Sequence, residues 1–136
     1  MFLALLFVLN QQMCGVLCGA DAFAHYSHLL ASAHFGHSYE EAAFLVRDDD
    51  GRVRAIDWHH HKEQSKASFH GPMPEHCIGI VHTHPIGDKE PSLGDRIEAR
   101  RIQLPILVVT TQAVTVAWPD GTMSYLADRA GWNVMR

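Results

Sequence analysis

Three classes of protein are excluded by what this chain has little of: cysteine, clustered basic charge and repetition. Cys14, Cys18 and Cys77 are its only cysteines, and Cys77 has no nearby partner, so the spacing of a zinc ribbon is absent and no structural zinc site is expected. In an oxidising compartment Cys14 and Cys18 are the residues to pair, leaving Cys77 as a buried thiol in an apolar strand. No run of five or more basic residues occurs and the formal net charge is -4 at pH 7, which argues against a nucleic-acid surface. Arg96, Arg100 and Arg101 cluster on a predicted helix, where a solvated face accounts for them. No internal repeat, linker or low-complexity segment interrupts the chain. A length of 136 residues is that of one domain, large enough to bury a core without staples.

Charge is also missing from residues 1–20. Phe2 to Leu9 is an apolar run of the length found in a signal peptide, and Ala20-Asp21-Ala22 or Cys18-Gly19-Ala20 offers small residues for cleavage. The positive segment that usually precedes such a run is lacking. Asn10, Gln11 and Gln12 interrupt it well short of the ~20 apolar residues a bilayer needs, so no stable membrane span is expected. The expectation is a leader over residues 1–22, ahead of a single domain over 23–136. That leader is a signal peptide directing export to a periplasm or the outside, an apolar arm on a cytoplasmic protein, or a start assigned too far upstream.

Apolar periodicity sets out the remaining elements. Phe23, Tyr26, Leu30 and Ala33 lie at helical spacing, with Gly36 to end the helix. Its neighbours His25, His28, His34 and His37 are read as solvated, since no acid or cysteine completes a ligand set. Ala42 to Arg47 and Arg52 to Trp58 read as strands joined by Asp48-Asp49-Asp50-Gly51, a hairpin signal. The ligand spacing of a calcium loop is absent there. Trp58 to Pro74, including His59, His60 and His61, has the composition of a surface loop with the histidines exposed. Cys77 to His84 then reads as a strand and Asp95 to Gln103 as a helix. Pro105 to Thr110 is a continuous apolar strand suited to a sheet centre, followed by strands at Ala113 to Trp118 and Met123 to Ala127. This order indicates an α/β sheet with helices packed on it. Trp118 and Trp132 are read as packing residues.

The chemistry concentrates in His82-Thr83-His84-Pro85 and Pro91-Ser92-Leu93-Gly94-Asp95. Residues two apart on a strand point the same way, so His82 and His84 share a face, together with Ile78 and Ile80. Pro85 ends the strand and leaves both imidazoles at its carboxyl end, where open α/β sheets hold ligands. Asp95 returns at a helix start as a hard oxygen ligand. Two histidines and a carboxylate hold zinc with a fourth position open for water, the mark of a catalytic rather than a structural site. Such a site also needs an acid to move protons. Glu40 and Glu41, just ahead of an apolar strand, are both candidates, and spacing alone does not choose between them. Ser92 followed three residues later by an acid also approximates a helix capping box.

At these residues the chain resembles the JAMM metalloproteases, the catalytic form of the MPN domain. The family pattern is Glu, a gap, H-x-H, seven residues, Ser, two residues, Asp, and His82, His84, Ser92 and Asp95 fall on it without adjustment. The family's Glu usually precedes two variable residues, a small one and an apolar strand, a frame that selects Glu40. The resemblance runs from about Phe23 to Leu126 and is strongest from Gly79 to Asp95. It implies a curved, mostly antiparallel central sheet flanked by helices, of the cytidine-deaminase-like kind, with the zinc site at its edge. It further implies that His82, His84 and Asp95 hold one Zn2+, that Glu40 is the general acid and base, and that Ser92 stabilises an oxyanion.

The implied activity is that of a zinc metallopeptidase or isopeptidase. It would cut an amide at the extended C-terminal tail of a ubiquitin-like or other small protein. Residues 85–95 leave no room for the inserted segments by which larger relatives select a ubiquitin chain type, so narrow linkage specificity is not implied. Two other readings exist. A non-catalytic MPN-type interaction module is marked by lost ligands, which this chain retains. The RadC-like branch shares His-x-His-Pro and Pro-Ser-x-x-Asp but usually has Asn where Thr83 stands.

Overall fold

Among the described residues, the apolar runs build six strands and two complete helices. A computed structural model describes residues 14–35, 40–58, 72–84 and 88–128. The elements are α1 (Ala20–Phe35), β1 (Ala42–Arg47), β2 (Val53–Asp57), β3 (Cys77–Thr83), α2 (Leu93–Ile102), β4 (Ile106–Val109), β5 (Val114–Ala117) and β6 (Met123–Ala127). The strands form one sheet in the order β2-β1-β3-β4-β5-β6. Only β3 and β4 pair in parallel, and the other neighbours are antiparallel. A parallel pair cannot be joined by a tight turn, and α2 lies in the connection that makes this one possible. The mostly antiparallel α/β sheet expected from the sequence is therefore the observed architecture.

Each face of the sheet carries its own core. On one, Leu17, Phe23, Tyr26 and Leu29 pack against Ala43, Leu45, Val81, Leu107, Val109, Val114 and Val116. On the other, Ala99 of α2 meets Phe44, Ile80, Ile106 and Ala117. Because both faces are covered, β4 is buried at all four positions and needs the continuous apolar sequence Ile-Leu-Val-Val. Leu17 and Ala22, on the leader side of the boundary read from the sequence, are 1% and 0% exposed and belong to this core. The Tyr26 hydroxyl donates to the Leu17 carbonyl (2.8 Å), and burial pushes its pKa well up. Cys14 and Cys18 form a disulfide; Cys77 is a free, half-buried thiol whose pKa burial raises against an opposing bond to the Gly79 carbonyl. Among the described residues no helix is long and apolar enough to cross a membrane.

Two local expectations need correction. Ile78 does not share a face with Ile80: it packs on the α1 side, whereas Ile80 packs on the α2 side. The β1–β3 register explains this, because it steps from Leu45↔Gly79 to Val46↔Cys77. The extra residue is a β-bulge, which reverses the side-chain alternation on one side of it. His25 is not a solvated helix residue either. Its Nε2 donates to the Val53 carbonyl (2.8 Å) and ties α1 to β2, while His28 is exposed.

In the β1–β2 turn Asp48 Oδ1 accepts from the Asp50 and Arg52 amides (3.0 and 2.9 Å), and Gly51 takes φ +81°. The three consecutive aspartates thus serve a turn in which one carboxylate is spent on the backbone. Residues 1–13, His37, His59 to His61, Pro85 and Trp132 lie outside the described residues, as does the side chain of His34. Trp118 is buried in the α1-side core, as a packing residue, and its Nε1 donates to Ser124 Oγ (2.9 Å).

Candidate metal centre

The register of β1 against β3 assembles the first half of the site. His82 lies directly opposite Ala42, near the carboxyl end of β3. Glu40, two residues before Ala42, falls on that same face, and its Oε1 is 3.7 Å from His82 Nε2. The Glu41 backbone pairs with Thr83. The Glu41 amide donates to Thr83 Oγ1 (3.0 Å), and the Thr83 amide donates to the Glu41 carbonyl (2.9 Å). The choice between the two glutamates, open in the sequence, is thereby made for placement: Glu40 is the one at the histidines. Thr83 was missed as a contributor, although its position between the two histidines was the available signal.

His84 stands one residue past β3. Its Nδ1 donates to the Asp88 carbonyl (2.8 Å), which fixes the tautomer of the neutral ring and makes Nε2 its ligand atom. Nε2 of His82 and Nε2 of His84 are 3.1 Å apart. No sequence signal marks Asp88 for this role, because it acts through its backbone.

Asp95 arrives from the first turn of α2. Ser92 is the N-cap: its Oγ accepts from the Asp95 amide (3.0 Å), and the Ser92 amide donates to Asp95 Oδ2 (2.8 Å), a complete capping box. The same carboxylate faces the histidines, with Oδ1 3.2 Å from His82 Nε2 and Oδ2 3.6 Å from His84 Nε2. Capping and site building are one arrangement here, since the cap locks the rotamer that aims Asp95 inward. Ser92 is exposed; its oxygen is used as an acceptor, and its hydroxyl proton is left to donate outward. All five residues picked out in the sequence therefore meet, Glu40, His82, His84 and Asp95 by side-chain distance and Ser92 through Asp95.

These donors are a set able to hold one metal ion. Ligand atoms of Glu40, His82 and His84 lie within 4.8 Å of one another. Around a zinc ion with bonds of about 2.0–2.2 Å, tetrahedral donors sit roughly 3.3–3.6 Å apart. The separations of 3.1, 3.2 and 3.6 Å among His82, His84 and Asp95 are close to that spacing. Burial opposes ionisation of Asp95, but hydrogen bonds from His82 and His84, the His82 charge and the Ser92 amide hold its carboxyl far below the usual range. Burial lowers the His84 pKa, yet its bonds to Asp95 and the Asp88 carbonyl, with the Asp95 and Glu40 charges, leave it above the ordinary imidazole value.

These two shifts predict how the metal-free chain responds to pH. Asp95, depressed, contributes stability that is present above its ordinary value of 3.8 and lost as pH falls through the lower folded value. His84, raised, contributes stability that is present below 6.5 and lost as pH rises through its higher folded value. Metal binding needs neutral His84 and so competes with its proton. The gain in Tm on adding zinc is therefore expected to grow from pH 6 to pH 8 in paired thermal scans, and a gain that shrinks over that range contradicts this electrostatic picture.

The chain matches the prokaryotic homologs of the JAB domain over residues 23–121. No curated protein and no solved structure matches it. The matched span runs from α1 to the turn before β6 and holds Glu40, both histidines, Ser92 and Asp95. With that match covering most of its length, the chain belongs to the prokaryotic branch of the JAB, or JAMM/MPN, domain family.

Proposed function

We propose that this protein is a zinc-dependent metallopeptidase or isopeptidase. Its substrate class is an amide in the extended C-terminal tail of a ubiquitin-like or other small protein. The observation that carries this reading is the convergence of His82, His84 and Asp95 donors within 3.6 Å, with a second carboxylate beside them. Asp95 is assigned as the third ligand because it approaches both imidazoles, whereas Glu40 stands 3.7 Å from His82. When bound, zinc supplies a Lewis acid for the scissile carbonyl and lowers the pKa of water to roughly 7. Glu40 accepts the proton of the attacking water at a carboxylate oxygen and returns it to the departing amine. Ser92 donates a hydrogen bond from its hydroxyl to the oxygen on which negative charge develops.

Activity on a peptide or ubiquitin-like tail is expected to vanish on chelation and to return on adding zinc. Cleavage indifferent to the chelator overturns the proposal. Ser92 is tested by separating its two roles. Ser92→Ala is expected to lose about 1 kcal/mol of stability through the helix cap. It should also lose roughly 10²–10³-fold in kcat through the missing donor. Ser92→Gly costs the cap only a few tenths of a kcal/mol by comparison, so it should show the same loss of kcat with near-native stability. Full activity in the Gly variant removes Ser92 from the chemistry.

A further inference from the structure

We propose that Thr115 and Tyr125 are positioning residues for His84, acting through the segment Asp88-Lys89-Glu90; this rests on the metal reading of His82, His84 and Asp95. The sheet register brings these residues into line. Ala42, His82, Val108, Thr115 and Tyr125 are successive cross-strand partners from β1 to β6, so one row of side chains runs from the site to the far edge of the sheet. Thr115 is 0% exposed, between Val114 and Val116, which pack in the core on the α1 side. Valine would suit such a position by packing alone, and a buried hydroxyl requires a partner. That partner is the Lys89 carbonyl, to which Thr115 Oγ1 donates at 2.8 Å.

The neighbouring carbonyl, that of Asp88, is the one that accepts from His84 Nδ1 at 2.8 Å. Glu90 is held as well. Its Oε1 accepts from the Tyr125 hydroxyl (2.8 Å), its amide donates to Asp88 Oδ1 (3.0 Å), and Lys89 Nζ lies 5.6 Å from the centre of the Tyr125 ring. Two side chains of the β5–β6 hairpin therefore clamp three consecutive residues, the first of which orients a ligand imidazole. Removing the Thr115 hydroxyl takes from the Lys89 carbonyl its anchor on the sheet, and the segment is freed to shift. The Asp88 carbonyl moves with it, and His84 loses its fixed orientation.

The test measures zinc affinity by chelator competition, and the visible absorption of the cobalt(II)-substituted full chain, in Thr115→Val, Thr115→Ser, Tyr125→Phe and Val116→Ala. Partners that orient metal ligands are worth about 10–100-fold in affinity, so Thr115→Val is expected at about tenfold weaker zinc binding, with shifted cobalt bands. Thr115→Ser restores affinity to within about twofold, and Tyr125→Phe, which loses one of two anchors, weakens it about threefold. Val116→Ala opens a cavity in the opposite core; it should lower Tm while leaving affinity and spectrum unchanged. If Thr115→Val fails to fold, Tyr125→Phe decides, since Tyr125 is 44% exposed. Wild-type affinity and bands in the hydroxyl-deletion variants overturn the proposal, as does equal weakening by Val116→Ala. A wild type that takes up neither zinc nor cobalt overturns the metal reading itself, before any variant is compared.

Discussion

Glu40→Gln is expected to retain one zinc per chain and to lose about 10²–10⁴-fold in kcat, the range that general acid–base catalysis supplies. Glutamine keeps the size and polarity of the side chain but cannot accept a proton at the pH of the assay. Its zinc should stay because the three nearer donors, His82 Nε2, His84 Nε2 and the Asp95 carboxylate, are untouched. Glu41→Gln provides the contrast. Its backbone pairing with Thr83 is preserved by the substitution, so its kcat should remain near wild type. Two outcomes would defeat the assignment. Normal turnover in Glu40→Gln removes it as the proton carrier; loss of zinc in that variant makes Glu40 a ligand and leaves the proton transfer to another group.

His84→Ala should instead lose metal and turnover together. Partners that merely orient a ligand are worth 10–100-fold in affinity, so deletion of a ligand is expected to weaken zinc by more than about 100-fold. Metal content after dialysis and amide cleavage at added zinc give the two readouts. The variant should still fold, because His84 lies beyond the last residue of β3 and, among the described residues, its side chain bonds the Asp88 carbonyl and the other site residues. That separates it from Asp95→Ala, which removes a helix cap along with a donor. Stoichiometric zinc in a folded His84→Ala protein would rule out the ligand set.

Much of the site was legible because its spacing is local. His82 and His84 share a face by strand alternation, and Ser92 and Asp95 meet by the geometry of a helix start, each within four residues. The resemblance to the JAMM pattern then connected these pairs to Glu40. Strand placement was legible for a similar reason: β4 and β6 fall where apolar runs and turn residues put them. Ile78 is the counterexample. Alternation assigned it to the histidine face, but the bulge near Leu45 and Val46 displaced it to the α1 side. His25 likewise sat on a helix with nothing in its neighbourhood to indicate the Val53 carbonyl, which arrives from 28 residues away.

Sequence by itself determined which atoms can bind a metal, since the identity and short-range spacing of imidazoles and carboxylates are covalent facts. It also determined the α/β class, through the period of its apolar residues. Tertiary structure placed Glu40 at the histidines, a choice that spacing left open and the family pattern anticipated, and it alone decided that a backbone carbonyl at Asp88 holds His84. Both depend on hydrogen bonds and strand registers between distant segments, where a shift of one residue sends a side chain to the opposite face.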